Sequence, residues 1–359
     1  MVRRETSMGF FGSRRRRLRA EPLQPLVDPA AWEPEEILND SSWAYTFTRD
    51  DIAEVMLAVY RFHLSGTPLV EMRPDDFVLP RVCKVIADAR EELLEGRGFV
   101  YLRGLPVQSM SAEDAVTAYL GIGLHIGQPV SQNGQGHILG HVKDYGRSID
   151  DLNSRGYQTT AELGFHADHS DYVGLLCLRT AKAGGASRFA SSATLYNRIL
   201  ASRPDVVKVL CEDFYYSRGG EIPKGKEPWY TQPAFSFQDG YFSARGLSSY
   251  VLKAQRLPGV PAFTDAQKEA IAIFRKTVAE CAVNLDFQPG DIQLLHNHVV
   301  LHSRSAYQDW PDPNLKRHLL RLWLRDLSGR PLPDSVRENF VGVSVEGAMH
   351  CVPVDGMSA

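Results

Sequence analysis

Covalent cross-linking has little to work with in this chain. Its five cysteines, Cys83, Cys177, Cys211, Cys281 and Cys351, are odd in number and widely spaced, with no CxxC pair. That pattern argues against a disulfide framework or a thiolate zinc site. It favours a reducing, cytoplasmic compartment in which the thiols are buried and unreactive. No apolar run approaches the roughly 18 residues needed to span a bilayer, so no membrane partner is expected. The net charge of −3 leaves no whole-chain electrostatic footprint for nucleic acid. No internal repeat is visible, and the single biased stretch is "GSRRRRLRAEP", with five arginines between Arg14 and Arg19. No apolar segment follows it, so it is not a secretory signal, and Glu5 and Glu21 weigh against an organelle-targeting peptide. Residues 1–30 are therefore expected to form a disordered, solvated tail.

What is present is the composition of a globular protein with a substantial core: 43% hydrophobic and 23% charged residues over 359 positions. The length would allow two domains or one large elaborated domain, and the patterning along the chain favours one. Helical patterning dominates the first part. "TRDDIAEVMLAVYRFHL" has a cap at Thr48 or Asp50, with Ile52, Val55, Met56 and Tyr60 at helical spacing. A second helix, within "DFVLPRVCKVIADAREELLEG", ends at Gly96 or Gly98. "GFVYLRGLPV" is short, apolar and rich in β-formers, and so predicts a strand. Ser111 opens a further helix, with Glu113 and Asp114 in its first turn where the helix dipole favours acids.

From about Gly127 the texture changes. Short runs such as "HILGHVKDY", "YVGLLCLRTA", "SRFASSATLY", "PAFSFQDGYFSAR" and "VNLDFQPGDIQLLHN" alternate with Gly, Pro, Asn and Asp. This is the spacing of an antiparallel sandwich or barrel. Two helical inserts interrupt it, "SATLYNRILASRPDVVKVL" and "FTDAQKEAIAIFRKTVAECA". The expected fold is mainly β with flanking helices around a jelly-roll core. Its expected parts are a helical segment over 31–96, a catalytic-size β domain with inserts over 97–330, and a C-terminal extension over 331–359.

The chemistry centres on "GFHADHSDY". Residues i and i+2 of a strand share a face, so His166 and Asp168 project together if "LGFHADH" is a strand or a strand end. A histidine and a carboxylate side by side are two ligands of a 2-His-1-carboxylate triad, which leaves positions on Fe(II) open. The neighbours His169 and Asp171 would face elsewhere. The third ligand must come from distant sequence, with His125, His137, His141, His296, His298, His302 and His318 as candidates. One context stands out, "FQPGDIQLLHNHVVLHSRSAY", where a turn at Pro289–Asp291 precedes a strand, a polar break at Asn297 and then "VVLHSR". Further on, "KRHLLRLWLRD" places Arg317, Leu319 and Arg321 on one face of a buried strand. Buried arginines need anionic partners, and a dicarboxylic co-substrate would supply them. "FYYSRGGEIPKGKEPWY" and "FSARGL" add Tyr215, Arg218, Trp229 and Arg245 as pocket candidates, suited to a small carboxylate, amino acid or sulfonate.

These residues together resemble the taurine dioxygenase and clavaminate synthase-like group of Fe(II)/2-oxoglutarate oxygenases. His166-x-Asp168, "NHVVLHSR" and "KRHLLRLWL" carry the resemblance. "KAGGASRF", Lys182 to Phe189, looks like that family's Gly-Gly-x-Thr segment, and "RGFVYLRGLP" looks like its opening strand. The resemblance covers roughly residues 95–327. It implies a double-stranded β-helix with iron held by His166, Asp168 and His302 at its mouth. It also implies that Arg317 binds the distal carboxylate of 2-oxoglutarate. Arg321 would lie near the co-substrate's C1 carboxylate or an anionic group of the substrate. The implied reaction takes Fe(II), 2-oxoglutarate and O2, releases succinate and CO2, and oxidises an unactivated C–H of a small substrate that bears a carboxylate or another anionic group. Hydroxylation is the expected outcome, with desaturation or cyclisation as family variants; the carboxylate at Asp168 disfavours halogenation. Two departures stand out. Ser187 replaces the usual co-substrate-binding threonine, keeping the hydroxyl and losing the methyl. His296 stands where asparagine or aspartate is common, as a structural group or a substrate contact, and His169 is placed on the substrate side. The competing functions are a non-catalytic jelly-roll ligand-binding protein and a zinc hydrolase using the same triad. Homo-oligomerisation is left open.

Overall fold

The computed structural model describes residues 16–148, 150–152, 154–343 and 347–355. Two sheets face one another. The larger, seven-stranded sheet contains β1 (Ala44–Thr46), β2 (Phe99–Arg103), β3 (Gln128–Pro129), β4 (Leu139–Val142) and β6 (Tyr172–Arg179), with β9 (Ile292–His296) and β11 (His318–Arg325). Its order is β1-β2-β9-β6-β11-β3, with β4 also paired to β11. The smaller, four-stranded sheet runs β8-β7-β10-β5, made of β5 (Leu163–His166), β7 (Ser187–Ser191), β8 (Ala282–Asn284) and β10 (Val300–Arg304). Pairing is antiparallel except between β1 and β2.

The apolar run of β11 is explained by burial on both faces. Leu320, Leu322 and Leu324 join the cluster formed with the helices, whereas Leu319 and Trp323 turn inward between the sheets. Arg317 and Arg321 follow the inward parity and line the interior cavity with Leu319. Trp323, Phe99, Tyr101 and Phe189 fill the rest of the inter-sheet space and are 0% exposed. Truncating such an aromatic to alanine costs about 3–5 kcal/mol, which makes this layer the rigid floor of the site.

Helices cover the outer faces. α1 (Arg49–Ser65) starts in a reciprocal box in which Thr48 accepts from the Asp51 N–H and Asp51 accepts from the Thr48 N–H; it stops at Gly66, whose φ is 69°. α2 (Val82–Glu95) ends at Gly96, and α3 (Ala112–Leu124) is capped by Ser111. The inserts form α4 (Ser192–Ser202) and α5 (Pro204–Leu210), then α6 (Asp265–Glu280). Residues in α-helices outnumber those in strands among the described residues, so "mainly β" holds for the core but not for the whole chain.

Three expectations need correction. The buried face of α1 is Val55, Ala58, Val59 and Phe62, while Tyr60 is exposed. Residues 16–25 are mostly exposed, but the segment is tied down at Arg17 and buried at Leu26 and over Asp28–Ala30. Arg17 pairs with Asp28 at 2.8 Å and Glu95 at 2.6 Å, and the Asn197 side chain bonds both the N–H and the C=O of buried Leu26. Arg17 is therefore a structural cation; residues 1–15 lie outside the described residues. Cys177 and Cys281 are buried, but Cys83 and Cys351 are exposed. Among the described residues, no helix is long and apolar enough to cross a membrane.

Candidate active site

The site forms where β5 ends. His166 is the last residue of that strand, and Asp168 lies two residues on, in the turn towards β6. β10 runs antiparallel beside β5 with His302 directly opposite His166, ring centroids 4.3 Å apart. One ligand atom from each of His166, Asp168 and His302 lies within 4.8 Å of the others. No other such group of three or more His, Cys, Asp or Glu residues occurs among the described residues.

Local hydrogen bonds set the chemistry of each ligand. His166 Nδ1 donates to the Gly164 carbonyl at 2.9 Å, which leaves the Nε2 lone pair for the site. The Asp168 N–H donates to Asn297 Oδ1 at 3.1 Å, and the Asn297 amide donates to the Ser170 carbonyl at 2.8 Å, fixing the turn from the neighbouring strand connection. Asp168 Oδ2 and His302 Nδ1 are buried with no hydrogen-bond partner. Burial by itself would raise the Asp168 carboxyl, but the Arg321 guanidinium beside it holds it well below the usual carboxylate range. Burial pushes His302 down to about 3, reinforced by His166, so its imidazole is neutral. A buried carboxylate with a free oxygen beside two neutral imidazoles is a donor set that fits a divalent metal, Fe(II) included.

Two cavities meet at this triad. The inner one is lined by Ser187, Arg304, Arg317 and Arg321 together with the three ligands and Leu175, Leu319 and Val142. Arg317 is 4% exposed, its Nη1 has no acceptor, and it forms no ion pair among the described residues. Gly185 makes room for it: a Cβ there would lie 3.2 Å from Arg317 Nε, and its φ of 71° also favours glycine. Ser187 Oγ donates to Gln293 Oε1 at 2.9 Å, so the hydroxyl at this position is already half committed. Arg321 differs from Arg317: its Nε donates to Gln132 at 2.7 Å, its Nη1 sits 3.5 Å from Asp168, and it lies over Trp323.

The outer cavity is lined by Arg155, Tyr157, His169, Arg245, Ser248, Ser249 and Tyr250, and reaches His166 and Asp168. Gly246 lets this wall approach, since a Cβ there would meet the Phe165 carbonyl oxygen at 2.4 Å. Arg245 is buried and spent on structure. It donates to the carbonyls of Ala167 at 2.7 Å and Asp168 at 3.1 Å and to the Tyr230 hydroxyl at 3.0 Å, and it contacts His169 Nε2. His169 has its other nitrogen on the Asn339 carbonyl at 2.8 Å, and the Gly342 N–H donates to the His169 carbonyl at 2.8 Å. The C-terminal segment thus walls an adjoining cavity, where Arg218 also lies.

Several sequence candidates fall outside. His296 is 0% exposed, bonds the Leu93 carbonyl through Nδ1 at 3.0 Å and packs beside Tyr172 and His298; it does not line either cavity at the triad. It is a core histidine against α2, which matches the structural alternative and not the substrate contact. Arg218 donates to the Glu227 carbonyl and covers the Tyr230 ring, away from the triad. Tyr215 and Trp229 pack edge to face on one another and line neither cavity. Asp171 binds His298 at 2.8 Å and not the metal site. Sequence reasoning missed Asn297 as a brace, Arg155 and Gln132 as second partners of the arginine network, and Arg304. Only Arg304 carried a signal, its position two residues after His302 on the same strand.

With this geometry in place, the comparisons with known proteins are direct. The family "Taurine catabolism dioxygenase TauD, TfdA family" matches residues 64–323. FR-33289 synthase of Streptomyces rubellomurinus is 31% identical over 329 residues, covering 89% of this chain and 96% of its own. Taurine hydroxylase-like protein SAT17 of Stachybotrys chartarum is 29% identical over 312 residues, covering 83% and 79%. The non-heme iron oxygenase OrfP, in complex with Fe and alpha-ketoglutaric acid, superposes with a TM-score of 0.59 at 18% identity, over 79% of this chain and 95% of that one. Asparagine oxygenase, in complex with Fe(II), 2S,3S-3-hydroxyasparagine and succinate, gives 0.55 at 18% identity, over 79% and 94%. At such identity the two structures speak for the shared jelly-roll fold.

Proposed function

From the premise that the chain belongs to the taurine catabolism dioxygenase TauD, TfdA family and is an Fe(II)/2-oxoglutarate-dependent dioxygenase, we propose that it hydroxylates a C–H of a small anionic molecule. Iron is held by His166, Asp168 and His302. The distal carboxylate of 2-oxoglutarate goes to Arg317, with Ser187 beside it. When bound, Fe(II) and 2-oxoglutarate supply the oxidising power: O2 and 2-oxoglutarate are converted to succinate and CO2 while a substrate C–H becomes C–OH. Membership of an oxygenase family sets aside the non-catalytic binding protein and the zinc hydrolase.

The observation that carries this reading is one cavity holding both an open ligand triad and a buried guanidinium without an anion. The chain's own residues do the rest. His166 is fixed in the tautomer that offers Nε2, because Gly164 takes its other proton. Arg321 keeps Asp168 ionised and lines both the inner and the outer cavity. The substrate class is supported by charge rather than by free donors: Arg155, Arg245 and Arg321 are bonded into the wall, yet they border a space whose only lining carboxylate among the described residues is Asp168. Tyr157 and Tyr250 line that space, and the C-terminal segment walls the cavity adjoining it.

The test is succinate formation by purified protein with Fe(II), 2-oxoglutarate and O2 across a panel of small carboxylates, amino acids and sulfonates. At least one acid should stimulate succinate release and gain one oxygen atom by mass. Stimulation by neutral compounds alone would overturn the substrate class. No turnover of 2-oxoglutarate with any compound would remove the proposed chemistry.

A further inference from the structure

Arg304 is a buried cation for which the site described so far has no use. It lies on β10 two residues after His302, is 5% exposed, and lines the inner cavity with Ser187 and Arg317. Its Nη2 donates to the Thr159 carbonyl at 2.9 Å and to that of Ala161, whereas Nε and Nη1 have no acceptor. Arg317 Nη1, in the same cavity, also has none. Among the described residues, no carboxylate forms an ion pair with either guanidinium. Asp309 stands near Arg317 but spends Oδ1 on its backbone N–H at 2.7 Å, and Asp144 acts on Arg304 only from a distance. Tyr307 offers its ring to both, at 4.7 Å and 5.3 Å. Two like charges buried together are costly until an anion lies between them. A carboxylate has about four lone-pair sites, enough to accept from two guanidinium groups at once.

We propose that Arg304 is a second binding residue for the distal carboxylate of 2-oxoglutarate, which is held between Arg304 and Arg317. The pair then selects a dicarboxylic 2-oxo acid over a monocarboxylic one. This rests on the co-substrate assignment above. It differs from a purely structural role, in which Arg304 would do no more than brace the 159–161 segment leading into β5.

The test compares Arg304→Met and Arg304→Lys in the full chain loaded with Fe(II) under anaerobic conditions. Two ligands are titrated, 2-oxoglutarate and 2-oxopentanoate, which has the same length but lacks the distal carboxylate. Iron affinity is measured separately. Arg304→Met should weaken 2-oxoglutarate by about 10- to 100-fold, the range of a lost charge-assisted contact, and leave 2-oxopentanoate and iron affinity unchanged. Equal weakening of both acids, or of neither, would overturn the inference and leave Arg304 a brace. If Arg304→Met does not fold, Arg304→Lys decides: it keeps the charge but not the fork, and the preference for the diacid should fall part of the way. An unchanged preference overturns the inference. Should the unsubstituted protein bind 2-oxoglutarate no better than 2-oxopentanoate, the co-substrate assignment itself fails, and the role of Arg304 with it.

Discussion

The two cavities that meet at His166 and Asp168 are both lined with arginine, yet their arginines are in opposite states. On the inner side, Arg304 and Arg317 keep donors without acceptors. On the outer side, Arg245 is bonded to two carbonyls, a tyrosine and a histidine, and Arg155 is paired with Glu221 at 2.5 Å. Donors that are spent hold the wall together, whereas donors left over inside a cavity that opens on the triad are placed to receive a ligand; Arg330, buried with free donors but outside both cavities, shows that the second condition is needed. The histidines divide along a similar line. His141 and His318 bond one another at 2.7 Å, with Pro353 and Arg179 taking the outer nitrogens, so nothing is left for a metal. An unmatched nitrogen alone is not enough, since His296 and His298 also have one; what marks the triad is convergence on one point.

The largest expected effect breaks the site on which both cavities depend. Asp168→Ala removes the only carboxylate of the triad, and both bound iron and succinate formation should be lost. Full iron content in that variant, measured by elemental analysis, would show that the metal lies elsewhere. Arg317→Ala strikes the inner side alone. The apparent KM for 2-oxoglutarate should rise about 10- to 100-fold, with the KM for substrate little changed; an unaltered co-substrate KM would place that carboxylate elsewhere. Arg245→Met strikes the outer side and tests the contrast. Because it strands buried acceptors in the Ala167–Asp168 turn, it should lower stability by about 2–4 kcal/mol in denaturant unfolding. If instead it left stability intact and raised only substrate KM, Arg245 would be a ligand-binding residue and the contrast would fail.

The smallest effect comes from the closed histidine pair. Burial, with His141, Arg179 and Lys143 beside it, pushes His318 down to about 3. Its unfolded value is about 6.5, so the unfolded chain binds the extra proton in the interval between. Stability is therefore complete above that value and falls as pH drops toward about 3, losing about 1.4 kcal/mol by roughly pH 5.5. His318→Gln should flatten that part of the pH–stability curve. An equally steep curve in the variant would assign the acid sensitivity to other groups.

Much of this molecule was legible from periodicity. The caps at Thr48 and Ser111, the end of α2 at Gly96 and the strand at Phe99–Arg103 follow from local chemistry, which acts over a few residues. Parity along "KRHLLRLWLRD" likewise placed Arg317 and Arg321 on one inward face, because side-chain direction alternates strictly in a strand. The tail at 16–30 was misjudged because its arginine run looks solvated in isolation, and only Asp28 and Glu95, folded back onto it, give Arg17 partners.

Residue types and spacings, acting locally, determined which segments are helix or strand and that His166 and Asp168 adjoin. Which histidine joins them, which arginines keep a free donor and why His296 stands apart were decided by tertiary structure. Those depend on cross-strand register, His302 against His166, and on acceptors brought from distant segments, such as Gln132 for Arg321 and Ala167 for Arg245. Hydrogen-bond satisfaction is a property of the assembled neighbourhood, and it exists only once the chain has closed around the site.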